Sequence, residues 1–139
     1  AAPMTWKMPQ ALVLELMTQH RGRVGISCIV DGPTFSTQAT GTLPAYALVP
    51  LIDAAATHNP ENGRSYVSLV NRALGDSVEI TIEGVDRTED TTIYLVSGDT
   101  PGVTNTADVP EAVVIKKTVW SVESPRFTVP PHSFAMVLL

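Results

Sequence analysis

Beyond Gly22 the chain is a series of short β-branched runs. Each is stopped by Gly, Pro, Asn or Asp, and the runs recur every 8 to 15 residues. This spacing leaves no room for long helices after that point and points to an all-β arrangement. "RVGISCIVD" (23–31) ends at Asp31-Gly32-Pro33. "YALVPLIDAAATHN" (46–59) and "RSYVSLVNRA" (64–73) flank Pro60-Glu61-Asn62-Gly63, a turn composition that predicts a hairpin. Pro50 inside the first arm predicts an edge or a bulge there. "VSLVNRALGDSVEITIEG" (67–84) reads as two strands joined by a tight turn. Val67, Leu69 and Val70 put apolar groups on both faces of the first, so 67–71 reads as an interior strand. In the second, Val78, Ile80 and Ile82 alternate with Glu79, Thr81 and Glu83, which gives one dry and one wet face. "TTIYLVSG", a Gly/Pro/Asn/Asp loop over 97–110, "AVVIKKTVW" and "RFTVPPHSFAMVLL" follow. No βαβ pattern occurs. The expectation is an antiparallel β-sandwich, jelly-roll-like, with one N-terminal α-helix. The strand pattern running to Leu139 predicts that the fold ends there.

The helix is "KMPQALVLELMTQHRG". Pro9 suits its first turn and Gly22 the position after its last. Glu15, Thr18 and Gln19 form one narrow polar stripe, while Met8, Ala11, Leu12, Val13, Leu14, Leu16 and Met17 wrap the rest of the cylinder. A helix this apolar needs partners on several sides, and one sheet covers only one of them. The expected organisation is an N-terminal segment and helix over 1–21 and a β-sandwich over 22–139.

The chemistry-bearing residues are sparse. The 139 residues carry a net charge of −5, and the basic groups cluster only at Lys116-Lys117 and Arg21/Arg23, so no nucleic-acid partner is expected. No apolar run approaches the length of a membrane span, and Ala1–Lys7 lacks the apolar core of a signal peptide. The single cysteine, Cys28, lies in the apolar run "VGISCIV" and reads as a buried small hydrophobe, which leaves the compartment, cytoplasmic or secreted, open. Glycosidic hydrolysis needs two carboxyl groups across a cleft. Glu79 and Glu83 share a strand face but stand about 13 Å apart by strand rise. Asp86, Glu89 and Asp90 crowd a turn. Asp53, set among apolar residues in "LIDAAAT", reads as a hydrogen-bonded structural carboxylate near a bulge. His20 sits near the helix C-terminus, where a cation or donor is favoured. His58 falls in the hairpin turn and His132 at a strand start, and no pair has metal-ligand spacing. No catalytic residue, metal or cofactor is therefore expected. Trp120 alternates with Lys116 and Thr118, so partial exposure is expected. With Tyr94 or Tyr46 beside it, Trp120 forms the weak candidate for a sugar-stacking platform, against the simpler reading of a packing residue.

In their order and spacing, "ALVLELMTQHRG", "PLIDAAATHNPENGRSYVSLVNRA", the Pro110-Glu111-Ala112-Val113 segment and "FTVPPHSFAMVLL" resemble the C-terminal region of the family 51 glycoside hydrolases, the α-L-arabinofuranosidases, from about Pro9 onward. In that family a (β/α)8 barrel carries two catalytic glutamates and is followed by a β-sandwich packed against it. The resemblance implies that the first helix is the last helix of the barrel. It also implies that the sandwich takes material from the start of the full-length chain. Neither catalytic glutamate has a matching position here. The implied role is a non-catalytic support domain of an enzyme that hydrolyses terminal α-L-arabinofuranosyl residues of plant cell-wall polysaccharides. Its implied partner is the catalytic barrel; without it, the apolar face of the N-terminal helix predicts self-association of the isolated chain. The alternatives are a freestanding carbohydrate-binding module for arabinose-containing polysaccharide and an independent small enzyme.

Overall fold

A computed structural model describes residues 4–139, so the first three residues of the expected 1–21 segment lie outside the described residues. One α-helix, α1 (Pro9–Met17), continues into a 3-10 turn (Thr18–His20), and ten strands follow. These are β1 (Val24–Ile26), β2 (Thr34–Thr37), β3 (Tyr46–Pro50), β4 (Ile52–Asn59), β5 (Arg64–Asn71), β6 (Val78–Ile80), β7 (Thr91–Val96), β8 (Ile115–Trp120), β9 (Phe127–Val129) and β10 (Ser133–Leu138). Among the described residues, the expected all-β sandwich with a single α-helix is what forms.

Six strands make the main sheet, in the order β1-β4-β5-β10-β7-β8, with every pairing antiparallel. β6 with β9 and β2 with β3 make two separate two-stranded ribbons. The predicted hairpin is β4–β5, in register from Ile52↔Asn71 to Asn59↔Arg64, with Gly63 at φ 70° in its turn. β5 is the interior strand that its apolar pattern predicts, paired on both sides by β4 and β10.

Both faces of the main sheet are buried over its centre, by different covers. On one face Val67, Leu69, Ile93, Ala135 and Val137 pack against Phe127 and Val129 of β9 and Val78, Ile80 and Ile82 at β6. On the other face Tyr66, Val96, Phe134 and Met136 pack against Leu12 and Leu16 of α1. The alternation along β10 places Ala135 and Val137 on one side and Phe134 and Met136 on the other, as the pleat requires.

Several boundaries differ from the sequence reading. The stretch 67–84 is not a hairpin: β5 lies in the main sheet and β6 in the covering ribbon, so the turn at 72–77 crosses between layers. β6 stops at Ile80 because its partner β9 is only three residues long, although Ile82 still points to the core and Glu79, Thr81 and Glu83 still face water. The arm 46–59 breaks at Leu51. Pro50 ends β3 in one ribbon and Ile52 opens β4 in the main sheet, while Leu51 N–H donates to Pro33 O and Arg72 N–H to Leu51 O. Proline supplies the stop, since it cannot continue a ladder. Within β3, Leu48 has φ 56° beside a register shift between Phe35 and Thr37.

The covering ribbon does not reach the β1 end of the sheet. Val24 and Ile26 stand opposite His58 and Ala56, on the face that the β6–β9 ribbon covers elsewhere, yet they are 58% and 44% exposed. The same shortfall corrects the reading of Cys28, which is free and exposed, next to Ile29 at 91% exposure. An apolar run predicts burial only where a second layer exists to cover it.

Candidate docking surface

Trp120 is 3% exposed, not half-exposed as its spacing predicted. Its ring lies 4.6 Å from that of Phe127, its indole N–H donates to Ser124 O (3.0 Å), and the Arg87 guanidinium sits 3.4 Å over its face. Tyr94 is half-buried among the residues beneath α1, on the opposite face of the main sheet from Trp120. Tyr46 is 57% exposed on the β2–β3 ribbon. The three aromatic rings do not share a surface.

The carboxylates are dispersed. Asp53 is exposed and pairs with Arg72 at 2.8 Å, while Arg72 also donates to Pro50 O, so the pair ties the β3–β4 break to the end of β5. Glu79 pairs with Arg126 at 3.3 Å across β6–β9 and lines, with Glu83, Thr81 and Thr128, a shallow open groove. Asp90 accepts from Val122 N–H (2.8 Å), while Asp86 and Glu89 are exposed in the same turn.

The histidines serve structure. His58 lies on β4 and not in the turn, with Nδ1 3.0 Å from Ser65 Oγ on β5. His132 has φ 39°, its N–H donates to Ala73 O (2.7 Å), and its ring nitrogens stand 3.1 Å and 2.9 Å from the carbonyl oxygens of Leu74 and Gly98. His20, expected as a cation or donor at the helix end, turns its ring to β4. Its Nδ1 is 2.8 Å from Thr57 Oγ1 and its Nε2 is buried without a partner; burial, with the Arg23 charge second, holds the imidazole below its ordinary range. Arg23 lies over the Tyr66 ring at 3.9 Å and donates to Gln19 O. Among the described residues no group of three or more His, Cys, Asp or Glu is placed to hold a metal ion, and no helix is long and apolar enough to cross a membrane.

What the surface does offer is apolar area on α1. Leu12 and Leu16 are 7% and 6% exposed, while Leu14 and Met17 are 67% and 38% exposed. At 100° per residue, Val13, Met17, Gln10 and Leu14 follow one another around the cylinder away from the core, and Ala11, Glu15 and Thr18 occupy the other flank. On that flank Lys7 pairs with Glu15. The segment ahead of the helix adds Trp6 (39%) and Met8 (42%) to the exposed apolar area. It is fastened by the buried Asn105 amide, which donates to Lys7 O (2.7 Å) and Val113 O (2.8 Å).

Beside α1 lies an open groove of about 510 Å³. Pro9, Gln10 and Val13 form one wall, the loop from Ser97 to Val103 the other, and Val70 and Phe134 lie at its base. The loop turns tightly, so a Cβ on Gly98 would overlap the Val103 side chain. Sequence reasoning missed this groove, because its two walls are about ninety residues apart and neither carries a recognisable motif.

No curated protein matches the chain. The solved structures supply its fold. The α-L-arabinofuranosidase of Thermotoga maritima, solved as an arabinose complex, is 22% identical and superposes with a TM-score of 0.80 over 95% of this chain and 29% of its own. A family 51 α-L-arabinofuranosidase from Bifidobacterium longum is 24% identical (TM-score 0.76; 96% of this chain, 26% of its own). The family 51 enzyme of Xanthomonas axonopodis pv. citri is 20% identical (TM-score 0.70; 95% and 26%). The chain thus spans less than a third of the length of the structures it matches. The family model described as the α-L-arabinofuranosidase C-terminal domain matches residues 2–133, from ahead of α1 to the start of β10, and the chain belongs to that family.

Proposed function

We propose that this chain is the non-catalytic accessory β-sandwich of an α-L-arabinofuranosidase, docked through the outer flank of α1 against a catalytic (β/α)8 barrel. The parent reaction is hydrolysis of terminal α-L-arabinofuranosyl residues from plant cell-wall polysaccharides. The observation that carries this reading is the two-sidedness of α1: one flank is built into the sandwich, the other leaves Leu14 67% exposed beside Met17. Covering such a flank is favourable by about 25 cal/mol per Å² of apolar area. The matched structures contain more than two-thirds further polypeptide, which leaves room for such a cover. Residues 1–21 then serve as the joint and 22–139 as the sandwich.

The test is co-expression of this chain with the barrel of its parent enzyme as a separate polypeptide. The two co-purify, and Leu14→Asp with Met17→Asp separates them. The purified chain alone does not hydrolyse an aryl arabinofuranoside. Turnover that persists through purification overturns the accessory reading, and retardation of the chain in arabinan gels favours the carbohydrate-binding module instead.

A further inference from the structure

We infer that the groove between α1 and the Ser97–Val103 loop receives an apolar side chain projecting from the catalytic domain, and that it is an anchor point of the docked interface and not a sugar site. The inference rests on the docking reading above and adds to it where the contact is centred and what chemistry fills it.

Two observations carry it. The first is continuity. Val13 and Gln10 line the groove and also belong to the row Val13, Met17, Gln10, Leu14, so a surface laid on the exposed flank of α1 also closes the groove. The second is that four of the seven polar side chains lining the groove, Asn71, Arg72, His132 and Ser133, are committed to the sandwich itself, while Gln10, Ser97 and Thr100 make no side-chain hydrogen bond among the described residues. The two N–H groups of Asn71 Nδ2 are shared among the carbonyls of Asp76, Val129 and Pro130, and its Oδ1 accepts from Ala73 N–H. Arg72 is taken by Pro50 O and Asp53. Ser133 Oγ donates to Pro130 O (2.6 Å), and both ring nitrogens of His132 face carbonyls. A sugar presents a hydroxyl on almost every carbon, and each one loses its water on entry, so a sugar site needs convergent donors and acceptors. An apolar side chain needs only concave apolar walls, which Val13, Val70, Val103 and Phe134 supply. Filled pockets of this kind carry most of the energy of protein interfaces.

The experiment has two arms. In the first, amide spectra of this chain are recorded with toluene, standing in for an aromatic side chain, and with arabinose. Toluene is expected to shift the amides of Val13, Ser97–Val103 and Phe134 saturably, and arabinose to leave them in place. Saturable arabinose shifts there, or the absence of a toluene response, overturns the inference. In the second arm the affinity for the parent barrel is measured for Gln10→Trp and Thr100→Trp. Both residues are exposed at opposite rims, so either indole can fill the groove without disturbing the core. Each variant is expected to bind the barrel about tenfold more weakly, alongside Leu14→Asp. If Leu14→Asp weakens binding and the groove variants do not, docking stands and the anchor falls. If none weakens it, both fall.

Discussion

At the scale of single residues, the fold depends on a few side chains that hold several backbone carbonyls at once. Asn71 is 1% exposed and joins the end of β5 to the end of β9 and to the turn between the layers. Its replacement by Ala strips the partners from three carbonyls and from the Ala73 N–H, some of which regain water. The expected loss is about 3 kcal/mol in urea unfolding, above an ordinary hydrogen-bond deletion, because buried groups are left unmade. Arg87 plays a similar part, joining Thr91 to the carbonyls of Trp120, Ser121 and Ser124 while stacking on the indole. His20 gives a pH signature. Its folded-state pKa lies below the unfolded value, so the unfolded chain binds the proton first and stability rises with pH across the interval below about 6.5. The wild-type urea midpoint is therefore higher at pH 7.5 than at pH 5.5, and His20→Gln narrows that difference. An unchanged difference would remove His20 from the account.

At the scale of elements, α1 separates the two uses of apolar residues in one segment. Leu12→Ala and Leu16→Ala are each expected to cost about 2–4 kcal/mol through lost burial and the cavity left behind, whereas Leu14→Ala stays within about 0.5 kcal/mol. Chemical denaturation of the three variants checks this ordering, and equal losses would mean that Leu14 is covered in the isolated chain. The helix limits were legible because Pro9 and Gly22, the latter at φ 73°, punctuate them. The β4–β5 hairpin was legible for the same reason, and β5 as an interior strand because both of its faces are apolar. The partition of the strands among sheets was not. Nothing local in 67–84 distinguishes a hairpin from a crossing between layers, because the decision rests on β9 and β10, sixty residues further on. Trp120 failed in the same way: alternation with Lys116 implied a wet face, but β8 ends at Trp120, and the 120–127 turn folds back to bury its ring against Phe127. Local periodicity reports the period of an element. Which face is covered depends on what distant segments bring, and for α1 and β1 residues 4–139 leave part of the apolar face exposed.

At the scale of the whole molecule, the two edges of the main sheet are built differently. β8 carries Lys116 and Lys117 on its exposed positions, a charge placement that discourages another strand from adding to it. The β1 edge and its continuation, Val24 to Val30, contain no charge and no proline, and expose Val24, Ile26, Ile29 and Val30. Together with the Leu14 flank of α1, this gives two apolar areas that a lone chain keeps in water, an arrangement characteristic of interaction surfaces and of association-prone fragments. The purified chain is accordingly expected to self-associate as its concentration rises, read as a growing mass in light scattering. Leu14→Lys and Ile29→Lys apportion the effect. If the helix flank drives association, the first substitution restores the monomer mass; if the bare edge does, the second restores it. Addition of the catalytic barrel competes with self-association only in the first case, because α1 is the flank assigned to docking. A chain that remains monomeric at high concentration, with the amides ahead of Gly22 protected from exchange, would show that neither area is apolar enough to demand a cover. The docking assignment would then lose its driving force.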